Sequence, residues 1–109
     1  MPFDNQDYQP APVITDPVAR VLWDAARYIR EHGWCQNKIQ DAAGQVCLLG
    51  AIRKANGFED DANEGVRAMR AFLAVDYPHN WNDSPGRTSS EVISALEGCA
   101  RELQGRGKP

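Results

Sequence analysis

Cys47, His79 and Asp83 of this 109-residue chain together have the types needed for covalent chemistry. Cys47 opens an apolar run that reads as a helix, and a thiol at a helix start feels a dipole that favours the thiolate. His79 and Asp83 supply a base and a carboxylate to orient it, the logic of a Cys-His-Asp site. Nothing in the sequence joins His79 to Cys47. The plainer expectation is that Cys47 packs as a small hydrophobe among Val46, Leu48 and Leu49.

Other groupings suggest metal or ligand binding. His32 and Cys35 with Cys47 and His79 make a four-ligand nitrogen and sulfur set of the kind zinc takes, but their spacing matches no zinc knuckle. No metal, cofactor or catalytic residue is assigned. Trp34 and Trp81 stand in loops beside polar residues and could frame a pocket for a flat or peptide ligand, with Asn82 and Asp83 bonding nearby. The alternative has both rings plugging the ends of a helical core. Gly86-Arg87 precedes a helix start, where free amides and a guanidinium could receive an anion; an ion pair of Arg87 with Asp83 or another acid is the simpler expectation. The candidate ligand or partner residues are therefore Trp34, Cys47, His79, Trp81, Asn82, Asp83 and Arg87.

Composition narrows the classes. The net charge of −3 disfavours nucleic acid as a partner, because broad binding to phosphate backbones needs an excess of cations. A reading helix over residues 61–75 would expose Arg67 and Arg70, but it lacks the short turn of a helix-turn-helix pair. No apolar run approaches the ~20 residues that span a bilayer, so no membrane partner is expected. Met1 is followed by no basic and apolar leader, and three cysteines at these spacings make no disulfide framework, so reduced thiols and a cytoplasmic location are expected.

Four helices must position these residues. Residues 1–15 carry Pro2, Pro10 and Pro12 and read as an extended arm, with Phe3, Tyr8, Val13 and Ile14 able to anchor it. Asp16-Pro17 opens the first helix, Val18, Val21, Leu22, Ala25 and Ile29 stripe it, and Gly33 stops it. Residues 46–55 are apolar on nearly every side at first, which predicts the central helix; Gly50 there predicts close approach of a neighbouring backbone or ring. A strand over 45–49 stays open as an alternative. The third helix begins near Asp60 or Asp61, buries Ala62, Val66, Met69, Phe72 and Leu73, and ends before Tyr77-Pro78. A loop over 79–87 then leads to a capping box, Thr88 with Glu91, and a last helix that buries Val92, Ile93, Leu96, Cys99, Ala100 and Leu103 and ends at Gly105. The expected architecture is all-α: one domain over residues 16–105, an irregular four-helix bundle with long loops, and a tail over 106–109.

Taken in order, Gly33-Trp34-Cys35-Gln36, the run from Gly44 through Gln45, Val46, Cys47, Leu48, Leu49 and Gly50 to Ala51, Trp81-Asn82-Asp83, Arg87-Thr88 and Glu91-Val92 resemble an uncharacterised family of small proteins of actinobacteria and their phages, classed as a domain of unknown function. The resemblance covers roughly residues 18–104. It implies a compact cytoplasmic protein without an established activity, and it transfers no catalytic residue. Trp34, Cys47, Gly50, Trp81, Asn82 and Asp83 match its motifs; His32, Cys35 and Cys99 carry no weight in them, which counts further against zinc. The leading expectation is a non-enzymatic module that docks another protein through a helix face or the Trp81 loop, with host takeover or counter-defence as its setting if phage-borne. The alternative is a small-molecule binder or thiol enzyme that uses Cys47 with the Trp81-Asp83 loop.

Overall fold

The computed structural model describes residues 13–56 and 62–106. Five helices account for most of these: α1 (Pro17–His32), α2 (Leu48–Ala55), α3 (Ala62–Leu73), α4 (Pro78–Asn82) and α5 (Ser89–Arg106). The all-α expectation holds, with one more helix than the four predicted. The segment expected as a loop over 79–87 begins as the short helix α4, which Pro78 can start because its missing N–H needs no partner.

The hub of the core is α1, not the 46–55 segment. The two most extensive helix pairings are those of α1 with α5 and with α2. Ala19, Leu22, Ala25, Ala26 and Ile29 are its buried residues, whereas Val18 and Val21 are only partly covered. Small alanines let two helices approach α1 closely, and that is why it serves two neighbours. Leu22, Ile29, Leu48, Ile52, Met69 and Leu96 are fully buried, and each contributes about 1.5–3 kcal/mol by leaving water.

Helix ends show which signals were local. Asp16 precedes α1, but its side chain makes no capping bond. Instead Oε1 of Gln104, far along α5, accepts the N–H groups of Thr15 and Asp16, each at 2.9 Å. Gly33 ends α1 with φ of 99° and ψ of 166°, a positive-φ region other than the left-handed helical one expected. The capping box forms: Thr88 N–H donates to Glu91 Oε1 (2.9 Å) and Glu91 N–H to Thr88 Oγ1 (3.2 Å). α3 stops at Leu73, ahead of the proline boundary, because Ala74 turns left-handed (φ 57°) and Val75 N–H closes on Arg70 O at 3.1 Å. α5 runs through Gly105 to Arg106.

Before α2 the chain is extended but forms no strand among the described residues. Val46 instead makes two isolated bridges, parallel to Trp34 and antiparallel to Gln40. Phe3, Tyr8, the expected helix start near Asp60 or Asp61 and residues 107–109 lie outside the described residues. Of the arm, Ile14 packs on the core and Val13 is exposed.

Candidate functional site

The 33–47 segment, the start of α2 and the α4 turn meet on one side of the molecule. They are held together by Asn82, the one polar side chain that is fully buried among the described residues. Its Oδ1 accepts from Trp34 Nε1 (2.6 Å) and from Leu48 N–H (3.0 Å). Its Nδ2 donates to Cys35 O (3.2 Å) and to Asp83 Oδ1 (2.9 Å). A buried carboxamide with both ends used in this way satisfies one of the orphan donors at the helix start. Asp83 Oδ1 also takes Asn37 N–H (2.8 Å), and Gln36 Nε2 spans the carbonyls of Asn82 (3.1 Å) and Ser84 (3.0 Å). Asn82 thus acts inside the protein, and Trp34 turns its only donor inward to meet it.

Beside this anchor a cleft of about 240 Å³ is lined by Asn37, Lys38, Ile39, Cys47, Leu49, His79 and Asp83. The three residues of the Cys-His-Asp grouping, which the sequence could not join, therefore share one cavity. They do not form an activated thiol. Cys47 caps α2, with Sγ accepting from Gly50 N–H at 3.3 Å, and only 3% of it is exposed. Burial pushes its thiol up; the N–H groups of Gly50 and Leu49 pull it down by less, and Asp83 adds to the rise. The expected dipole stabilisation of a thiolate is thus outweighed by desolvation. No hydrogen bond joins His79 to Cys47 among the described residues; the His79 ring lies against Tyr77, centroids 5.7 Å apart.

Gly50 is required by this arrangement. A Cβ there would fall on the carbonyl oxygen of Ile39, so of the backbone or ring whose approach the glycine predicted, it is a backbone that lies there. That carbonyl already accepts Cys47 N–H at 3.1 Å.

Trp34 and Trp81 are not brought together at this cleft. Neither lines the cleft; Trp81 faces a separate open groove of about 500 Å³ with Tyr77, Asn80 and Ser84. The Arg87 guanidinium sits 3.9 Å from the Trp81 ring centre, its Nε donates to Trp81 O (2.9 Å), and Nη1 pairs with Glu91 at 3.6 Å. The acid that Arg87 meets is Glu91 rather than Asp83. His32 stacks on Tyr28, centroids 4.1 Å apart, and among the described residues no three His, Cys, Asp or Glu side chains are grouped to hold a metal ion. Ile39, Leu49, Asn37 and Lys38 are the cleft residues that sequence reasoning missed. The one available signal was Ile39, a lone large apolar residue in a polar loop.

No helix among the described residues is long and apolar enough to cross a membrane. Comparison with curated proteins and with solved structures finds no match. One family, described as a family of unknown function (DUF6197), matches residues 13–102. The match spans all three cysteines, the Trp81-Asn82-Asp83 turn and most of α5. The chain belongs to this family of unknown function, DUF6197.

Proposed function

We propose that this protein is a non-enzymatic interaction module that docks another protein by taking one of the partner's side chains into the Ile39–Cys47–His79 cleft. The observation that carries this reading is the cleft's size and lining. About 240 Å³ lies below the ~300–1,000 Å³ usual for small-molecule sites and suits a single side chain. Ile39, Leu49 and Cys47 give it an apolar lining, and Asn37, Lys38, His79 and Asp83 supply polar partners beside them. Ile39 is 39% exposed, an apolar contact of the kind that interface centres use. The three free thiols accord with a cytoplasmic setting, and the family resemblance suggests host takeover or counter-defence as the process.

Peptide selection against the folded protein tests the reading. Enriched peptides should share one anchoring residue and lose about tenfold in affinity, ~1.4 kcal/mol, on Ile39→Asp. Peptides that bind Ile39→Asp and His79→Ala as well as wild type, or no enrichment at all, would refute it.

Thiol chemistry is the second reading, favoured by the convergence of Cys47, His79 and Asp83 on one cleft. It requires rapid labelling of Cys47 in the folded protein, and that labelling must depend on His79. The raised thiol and the missing Cys47–His79 bond weigh against it.

A further inference from the structure

We propose that Cys35 and Cys47 are a modification site: an intramolecular disulfide that forms reversibly by exchange with a small disulfide such as oxidised glutathione. The geometry begins with the parallel bridge of Trp34 with Val46. Val46 N–H donates to Gly33 O (3.1 Å), and Val46 O accepts Cys35 N–H (3.0 Å). The next residues along the two paired segments are Cys35 and Cys47. Residues one step past a bridged pair lie on a common face, and segments in a regular ladder run about 4.8 Å apart; here the ladder ends with the Asn82 carboxamide joining Cys35 O to Leu48 N–H, while the Cys35 N–H bond to Val46 O keeps the two cysteine positions side by side. The ladder spacing falls within the Cα separation of roughly 4.4–6.8 Å that a disulfide accepts. Electrostatics agree, since an ionised Cys47 helps to push the Cys35 thiol up, after burial and Asp41. Cys99 is held elsewhere, its Sγ against Ala68 O at 3.7 Å where α5 meets α3.

Exposure sets the order of events. Cys35 is half-buried and Cys47 almost wholly buried. The Cys35 thiolate attacks the small disulfide, forming a mixed disulfide and releasing one small thiolate. The Cys47 thiol then gives its proton to the released small thiolate as its sulfur attacks the Cys35 sulfur and expels the second small thiolate. The two cysteines lose two protons and two electrons, and the small disulfide leaves as two thiols. The Cys35 Sγ–H bonds to Gln45 O (3.4 Å) and Lys38 O (3.5 Å) are given up in the process. Residues 36–46 close into a covalent ring that includes Asn37, Lys38 and Ile39 of the cleft. An effect on docking rests on the proposed function above; the bond itself does not.

The experiment holds the full chain in glutathione redox buffers, traps free thiols by alkylation and maps tryptic peptides without reduction. Cleavage at Lys38 separates the cysteines, so the bond would join peptide 31–38 to peptide 39–53, while Cys99 falls in peptide 88–101. The expected result is an intact mass lower by two hydrogens, the 31–38/39–53 pair as the main oxidised product, and an unchanged circular dichroism spectrum. Cys47→Ser should stop at a Cys35–glutathione mixed disulfide; should that variant not fold, the wild-type map decides alone. A wild type that halts at the mixed disulfide, links Cys99, gives only covalent dimers or forms the bond only in denaturant overturns the proposal.

Discussion

Asn82→Ala removes four hydrogen bonds at once, and its cost follows from what each leaves behind. Leu48 N–H lies in the first turn of α2 and has no helical carbonyl behind it, so it is stranded in the core at about 1–3 kcal/mol. The Trp34 indole N–H and the Cys35 carbonyl sit in half-buried residues that water can reach in part, at about 0.5–1 kcal/mol each. The sum is about 2–5 kcal/mol, against a total stability of roughly 5–15 kcal/mol for a domain. At ~3 kcal/mol the melting temperature falls by about 12–24 °C. Urea denaturation measures the loss, and native-state amide exchange should show Leu48 opening far more readily. Asn80→Ala, an exposed neighbour on α4, serves as control and should stay within about 0.5 kcal/mol of wild type. An Asn82→Ala protein as stable as that control would refute the view that this side chain anchors the site.

Gly50→Ala should destabilise by up to about 2 kcal/mol in denaturant titrations. Overpacking against the pinned Ile39 carbonyl, about 1–3 kcal/mol, outweighs alanine's helical advantage of about 1 kcal/mol. Gly105→Ala, whose new methyl meets nothing within 4 Å, should be neutral or stabilising by up to about 1 kcal/mol. Equal effects at the two glycines would contradict the steric argument. Burial, reinforced by Glu102 and opposed by Arg106, pushes the Cys99 thiol from 9.0 up to about 11. The folded state therefore keeps its proton where the unfolded chain releases it. The stabilisation is complete below pH 9 and is lost as pH climbs towards 11, so wild-type stability should fall more steeply over that interval than that of Cys99→Ala. Parallel pH curves for the two proteins would remove Cys99 as the cause.

Much of the fold was legible because its signals are local. Pro17, the Thr88–Glu91 capping box and the stripe containing Leu22, Ala25 and Ile29 act within a few residues of themselves. Gly50 carried a tertiary message in a local form, since a glycine in the first turns of an apolar helix implies a close neighbour, and the structure shows that neighbour to be the Ile39 backbone. The site was less legible. Cys47, His79 and Asp83 were picked out by type, yet their shared cleft depends on how α4 docks against the start of α2. Asn82 could be placed beside Trp81, but nothing along the chain says that its carboxamide faces Trp34 and Leu48, 48 and 34 residues away.

Residue type and spacing thus determined an all-α chain, the helix starts at Pro17 and after Thr88, and the chemistry available to each loop, because caps and stripes draw their energy from near neighbours. Tertiary packing decided that α1 is the hub, since its buried alanines admit α2 and α5 together. It also decided that Gln104 rather than Asp16 holds the start of α1, and that Cys47 is a buried cap rather than a thiolate. Desolvation and buried hydrogen bonds depend on everything that surrounds a group in space, and that environment exists only once the helices have assembled.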